Sequence, residues 1–277
     1  MSDTSYAPTQ TAANEDSKTS AHGSFVWYEL LTPDPVAAKT FYDAVVGWTV
    51  EPQPSGEMDY RMIGRADGGN AGGVMRLTEE MQSHGARPTW LGYVAVDDVD
   101  AAVASIGQAG GKTLLPAFDI PNVGRIAMVT DPPGAPFYVM QPTPPSGDEN
   151  KVSDVFSVDQ PGRVSWNELA TSDLEAAKRF YPTQFGWELG DVMNMGDMGD
   201  YQFINRGGVM LGAMMTAAAE SQPRWRYYFR VANVDTAKQA VEAGGGSVIH
   251  GPQEVPGGDR ILIGTDPQGA EFAVVGK

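Results

Sequence analysis

The chain has 277 residues with 33 glycines, 20 prolines, three histidines and no cysteine, and its 19 basic against 35 acidic side chains leave a net charge of −16. Without cysteine there is no disulfide scaffold, thiolate metal site, iron–sulfur cluster or thiol nucleophile, and so acidic a chain repels the phosphates on which nucleic-acid binding depends. The length suits one or two domains with real cores; with only His22, His84 and His250 available, any metal site would rest mostly on carboxylates.

Residues 1–24 are almost all small, polar or acidic and are expected to form a disordered tail. No basic start leads into an apolar stretch, and no apolar run approaches bilayer length, so a soluble, cytoplasmic protein without a membrane partner is expected. Phe25 to Leu31 alternates like a strand. Asp34 then caps a helix with Pro35 at its first position, Ala37, Ala38, Phe41 and Val45 share one face, and Gly47 closes it in a left-handed conformation. Short strands follow at Trp48 to Glu51, Tyr60 to Gly64 and Gly73 to Leu77. The order then returns: a strand from Leu91 to Val96, a helix from Asp100 to Ala109 stopped by Gly110-Gly111, and strands around Lys112, Arg125 to Val129 and Pro136 to Gln141.

The whole pattern occurs twice. WYELLTPDPVAAKTFY from Trp27 to Tyr42 recurs as WNELATSDLEAAKRFY from Trp166 to Tyr181. Pro121, Arg125, Asp131-Pro132 and Gly134 recur as Pro256, Arg260, Asp266-Pro267 and Gly269. Two copies of one module therefore span residues 25–142 and 163–277, joined by a linker at 143–162 rich in Pro, Ser, Asp and Glu.

These marks resemble the vicinal oxygen chelate superfamily, which includes glyoxalase I, bleomycin- and fosfomycin-resistance proteins and extradiol dioxygenases. The resemblance covers both copies. It implies an α+β fold of two tandem glyoxalase-like domains, each made of paired βαβββ units that form a curled open barrel. In that family, metal ligands stand seven residues before the helix-starting Asp of each unit and seven after the Asp of Asp-Pro-x-Gly. Here those places hold Trp27, Leu91 and Tyr138 in the first copy and Trp166, Arg226 and Ala273 in the second, and the fourth strands, 73–77 and 212–216, carry no carboxylate. The expected ligands are missing, so no metal and no cofactor is expected, and metal-dependent glyoxalase or dioxygenase activity is disfavoured.

Side chains two apart on a strand share a face, so Glu29 and Glu168 point into the same cups as the vacated ligand positions. In an aromatic-lined pocket, desolvation would raise their pKa toward neutrality for acid or base work; the alternative is a purely structural network. Arg125 and Arg260 are duplicated too, and either face those glutamates and a ligand oxyanion or pair on the surface. Trp27 and Trp166 floor or fill the cups, with Tyr93, Tyr138 and Tyr228 on the same face. Trp90 and Trp225, one residue out of register, belong to the core. Arg226 facing Glu168 or Glu271 would make the second cup chemically unlike the first. The methionines 193, 195, 198, 210, 214 and 215 suit a core or an adaptable lining. The histidines are expected in solvent.

A small-molecule ligand is therefore expected in an aromatic cup, with isomerase- or lyase-like proton transfer by Glu29 or Glu168 aided by Arg125, Arg260 or Arg226, and contacts from Trp27, Tyr93, Tyr138, Trp166 and Tyr228. The alternative is a protein that sequesters a drug or metabolite without turnover. The chain is expected to act as a monomer with its two domains paired, or as a homodimer.

Overall fold

The computed structural model describes residues 21–54, 56, 58–144 and 152–277. Most of the expected tail, residues 1–20, and residues 145–151 of the expected linker lie outside the described residues. The first repeat runs β1 (Phe25–Thr32), α1 (Pro35–Val46), β2 (Thr49–Val50), β3 (Tyr60–Gly64), β4 (Asn70–Arg76), α2 (Glu79–Ser83), β5 (Thr89–Ala95), α3 (Val99–Gln108), β6 (Lys112–Ile120), β7 (Gly124–Thr130) and β8 (Pro136–Pro142). The second runs β9 (Val164–Thr171), α4 (Leu174–Phe185), β10 (Glu188–Asn194), β11 (Asp200–Arg206), β12 (Val209–Thr216), β13 (Arg224–Arg230), α5 (Val234–Ala243), β14 (Ser247–Glu254), β15 (Arg260–Thr265) and β16 (Glu271–Gly276).

Each repeat builds one eight-stranded mixed sheet, in the order β2-β3-β4-β1-β5-β8-β7-β6 and its counterpart β10-β11-β12-β9-β13-β16-β15-β14. The two βαβββ units of a repeat meet where β1 pairs antiparallel with β5, and β9 with β13. Within a unit the first and last strands are parallel. The end strands do not pair with each other, so each sheet curls into an open barrel. The helices start where the capping side chains say they should: Asp34 accepts from the amides of Val36 and Ala37, and Asp173 from that of Ala176. Gly47 ends α1 at φ 82°, a left-handed turn that suits glycine. No helix among the described residues is long and apolar enough to cross a membrane.

One continuous core joins the two repeats. It lies on the convex, helix-bearing face of both sheets, where Phe25 and Tyr28 of β1 meet Trp225 and Tyr227 of β13, with Tyr28 and Tyr227 ring centroids 5.1 Å apart. Trp90 and Trp225 belong to this core, as their register predicts. The junction is reciprocal. Tyr42 of α1 donates to Asp266 at 3.1 Å and accepts from Trp90, while Tyr181 of α4 donates to Asp131 at 3.1 Å and accepts from Trp225. The Asp of each Asp-Pro-x-Gly turn is thus a buried acceptor for the opposite repeat. Burial raises the pKa of both, against the hydrogen bonds that favour their charge.

Four local expectations are corrected. Residues 21–24 are held in place: the Gly23 amide donates to Ala95 O and the Trp187 indole to Gly23 O, both at 2.7 Å. His22, expected in solvent, is half-buried with its Nε2 3.2 Å from Gln184 O. The described end of the linker is packed, because Val155 joins the core and Asp154 binds Arg65 and Arg163. Among the methionines, Met214 is core but Met198 and Met210 are exposed, so they form no common lining.

Candidate functional site

The concave face of each sheet is a cup, and the two cups are built on the same frame. In the first, alternation along β1 turns Trp27, Glu29 and Leu31 inward. Glu29 lies opposite Leu91 of β5 and Gly73 of β4, Trp27 opposite Tyr93, and Tyr93 beside Tyr138 of β8. A second, smaller apolar cluster fills the cup, with Leu31, Leu77, Leu91, Ile126 and Met140 among its members, and Met81 and Ala86 from the α2 segment pack against it. Glu29 is therefore only 3% exposed.

Three phenols surround this carboxyl. The Trp27 indole donates to Tyr60 Oη at 2.7 Å, Tyr60 and Tyr93 both hydrogen-bond Glu29, and Tyr138 hydrogen-bonds Tyr93. Glu29 Oε1 is buried with no hydrogen-bond partner. Desolvation outweighs the two hydrogen bonds and pushes the carboxyl up to about 7. The Tyr93 and Tyr138 rings stack at 4.2 Å with 13° between their planes. Burial and the adjacent Glu29 raise the pKa of both, so they stay protonated. The arrangement holds what proton transfer requires: a carboxyl near neutrality, one uncommitted oxygen, and an apolar surround.

The second cup repeats the relay and then closes it. The Trp166 indole donates to Tyr201 Oη at 2.8 Å, and Tyr201 and Tyr228 donate to Glu168 Oε2 at 2.8 and 3.0 Å. Glu168 Oε1 is bound by Arg226 Nη1. Arg226 stands opposite Glu168 on β13, the place Leu91 takes in the first cup. It also binds Glu271, which Arg224 holds from the other side. Burial opposes the Arg226 charge, but Glu168, Tyr228 and Glu271 together raise its pKa above the usual guanidinium range. Glu168 is thus saturated where Glu29 is open.

The structure brings Glu29, Trp27, Tyr93 and Tyr138 together in one cup and Glu168, Trp166, Arg226 and Tyr228 in the other. Arg125 and Arg260 are in neither, which corrects the expectation that they face the glutamates. Arg125 shares the convex side of β7 with Ala127 and Val129, and Arg260 that of β15 with Leu262. Arg125 forks onto Asp100 at 2.8 and 2.9 Å, and Arg260 binds Asp235, each acid lying in the first turn of a helix of the same repeat, α3 or α5. Their duplication reflects a strand-to-helix tie. Arg125 also borders an open hollow of about 470 Å³ with Asp119 and Gln141, at the β6–β7 turn.

Sequence reasoning missed Tyr60 and Tyr201, although the repeated Asp59-Tyr60 and Asp200-Tyr201 pairs mark them. It also set the fourth strands one residue out. Glu29 faces Gly73 and Glu168 faces Ala213, so Gly73 corresponds to Ala213 rather than to Gly212. The difference matters, because a Cβ on Gly73 would lie 2.1 Å from Tyr60 Oη.

A divalent ion does not fit either cup. The family's ligand places hold indole, leucine, tyrosine, arginine and alanine side chains, and the carboxylates there are already engaged, Glu29 and Glu168 with tyrosine hydroxyls and Glu271 with Arg224 and Arg226. Among the described residues, no three His, Cys, Asp or Glu side chains gather as a metal set would.

Comparison with known proteins agrees with the architecture. The model of the Glyoxalase/Bleomycin resistance protein/Dioxygenase superfamily matches residues 24–139 and again 163–274. Similar proteins include "Putative glyoxylase CFP32" of Mycobacterium bovis, 33% identical over 252 residues that cover 90% of this chain and 93% of that one. Another is "Anthracycline biosynthesis protein DnrV" of Streptomyces peucetius, 32% identical over 270 residues covering 92% and 94%. Among solved structures, the Mn(II)-bound glyoxalase of Novosphingobium aromaticivorans superposes with a TM-score of 0.61 at 18% identity over 92% of this chain and 82% of its own. The 2,2',3-trihydroxybiphenyl 1,2-dioxygenase of Sphingomonas wittichii RW1 does so with 0.63 at 14% identity over 92% and 91%. These last two likenesses concern the fold alone. With both repeats matched and the chain aligned nearly end to end with its relatives, this protein belongs to the glyoxalase/bleomycin resistance protein/dioxygenase superfamily.

Proposed function

We propose that the first cup carries out acid–base chemistry on a small organic molecule without a metal, with Glu29 as the group that moves the proton. The observation that carries this reading is the buried, unpartnered Glu29 Oε1 on a carboxyl raised to about 7. A base of that pKa takes a proton from a hydroxyl, or from a carbon beside a carbonyl, and returns it at another atom of the same molecule. No electrons are gained or lost, so an isomerase- or lyase-like step needs no redox partner. The second cup, whose glutamate is tied to Arg226, supports the fold of the pair.

A second reading is favoured by the stacked Tyr93 and Tyr138 rings and by relatives named for anthracycline biosynthesis: retention of a planar compound without turnover. Native mass spectrometry of the freshly purified chain separates the two. The acid–base reading expects a bound molecule that is converted on incubation by the wild type and by Glu168→Gln, but not by Glu29→Gln. A bound molecule left unchanged by the wild type, and held equally well by Glu29→Gln, would replace it with retention. One equivalent of Zn, Fe, Mn or Ni per chain in elemental analysis, lost when Glu29 or Tyr138 is replaced, would contradict the metal-free part.

A further inference from the structure

The direction of each hydrogen bond around Glu29 can be counted. An indole N–H only donates, so Tyr60 Oη accepts from Trp27 and its single proton goes to Glu29. With Glu29 ionised, the Tyr93 proton also goes to Glu29. The protons of Tyr60 and Tyr93 are then committed to the carboxylate, and a guest meets one acceptor, Oε1. When Glu29 takes up a proton on the unpartnered Oε1, a guest meets one donor instead. No cation answers a charged guest here, because Leu91 stands where Arg226 stands in the second cup.

We propose, building on the reading of Glu29 as the working group, that the first cup selects an uncharged guest with a hydroxyl or carbonyl on an apolar body. In this proposal Leu91 enforces the neutrality, and Trp27, with the space left by Gly73, sets the polarity. A guest carboxylate would be desolvated beside Glu29 with no counter-ion, and a guest cation would surrender its hydration for one carboxylate oxygen. Trp27 is a positioning residue: it fixes Tyr60 as a donor to Glu29 and touches the reaction only through that bond. The hydroxyl and the carbonyl are the two tautomers that one proton on Oε1 connects, so the selectivity and the chemistry use the same atom. The groups facing Glu29 are Tyr60 from β3, Tyr93 from β5 and Tyr138 from β8, while β4 offers Gly73 and Met75. In the covering segment Glu79, Glu80 and Arg87 are exposed, and only Met81 and Ala86 pack on the cup, so a guest enters by displacing α2.

The test is calorimetric titration of the full chain with 1-naphthol, 1-tetralone, 1-naphthoate and naphthalene at pH 5.5 and 8. One hydrogen bond to a charged group corresponds to roughly a tenfold change in affinity. Naphthol should therefore bind about ten times tighter at pH 8 than at 5.5, tetralone should show the opposite trend, and naphthoate should bind no better than naphthalene. Glu29→Gln should flatten both trends while Glu168→Gln leaves them intact. Leu91→Arg should bring naphthoate in, and Trp27→Phe should blur the contrast between naphthol and tetralone with the far-UV circular dichroism unchanged. Naphthoate binding as well as naphthol, affinities indifferent to pH, or no binding of any probe would overturn the proposal. If carboxyl titration still finds Glu29 near neutrality in that case, the acid–base reading survives the loss of this one.

Discussion

The two cups share a frame and differ in how the second oxygen of the glutamate is held. Both carry a tryptophan that donates to a tyrosine, two tyrosines on a glutamate, and the same β-strand frame, yet Glu168 Oε1 is bound by Arg226, while Glu29 stands opposite Leu91 and its Oε1 has no partner. Glu271 and Arg224 complete the second network, and Pro136 and Thr89 take their places in the first. A duplicated module has thus kept one carboxyl neutralised as structure and left the other desolvated. Duplication within one chain permits this, because each half can change alone. The junction shows the same freedom, since Tyr28 donates to Asn167 at 2.8 Å where strict symmetry would set identical residues against each other.

The contrast breaks most severely if the second network loses its cation. Arg226→Leu strands Glu168 and weakens the hold on Glu271, and removing one partner of a buried ion pair costs about 3–5 kcal/mol. Urea unfolding should register that loss, and adding Glu168→Gln should recover part of it. A single Arg226→Leu with wild-type stability would mean the network is not what holds this cup.

In the first cup the sign of the pH effect reverses the usual carboxylate case. Glu29 is raised from 4.5 to about 7, so between those values the folded state keeps a proton the unfolded chain has released. Its contribution to stability is full below 4.5 and is lost as pH rises through 7, a change of about 3 kcal/mol at most. Glu29→Gln should therefore be stabilising relative to wild type at pH 8 and much less so at pH 5, measured by denaturant midpoint. Glu168→Gln, which removes a charge from an ion pair, should destabilise at pH 8.

A smaller effect distinguishes Gly73 from Ala213. Gly73→Ala places a methyl 2.1 Å from the wild-type position of Tyr60 Oη. Overpacking of this kind costs about 1–3 kcal/mol, and loss of the Tyr60 donor should raise the Glu29 pKa further. Ala213→Gly should leave the second cup's hydrogen bonds in place. Smallest of all, Tyr42→Phe and Tyr181→Phe each remove a hydrogen bond between repeats. They should cost similar amounts, about 1–2 kcal/mol, and a large inequality would show that the junction is less symmetric than its geometry.

The architecture was legible because each repeat states it twice: the capping aspartates, the Gly47 and Gly186 stops, and the alternation that puts Glu29 and Glu168 inward all follow from local chemistry. The unequal cups were legible too, in Leu91 against Arg226. Arg125 and Arg260 misled because duplication marks a shared structural duty as readily as a shared site. Alternation with Ala127 and Leu262 places them outside. Tyr60 and Tyr201 escaped notice because they enter from β3 and β11, far in sequence from the glutamates, and only the sheet order brings them close. Helix α2 left little pattern to read, since only Met81 of its residues packs on the cup.

The central claim is that one glutamate is poised and its repeat partner is not. Carbon-13 NMR of the glutamate side-chain carboxyls, assigned with Glu29→Gln and Glu168→Gln, tests it without any ligand. The account expects one resonance, absent in Glu29→Gln, to titrate near pH 7 and to move down by about one to three pH units in Leu91→Arg. A Glu29 resonance that titrates with the ordinary glutamates, or one that ignores Leu91→Arg, would contradict it.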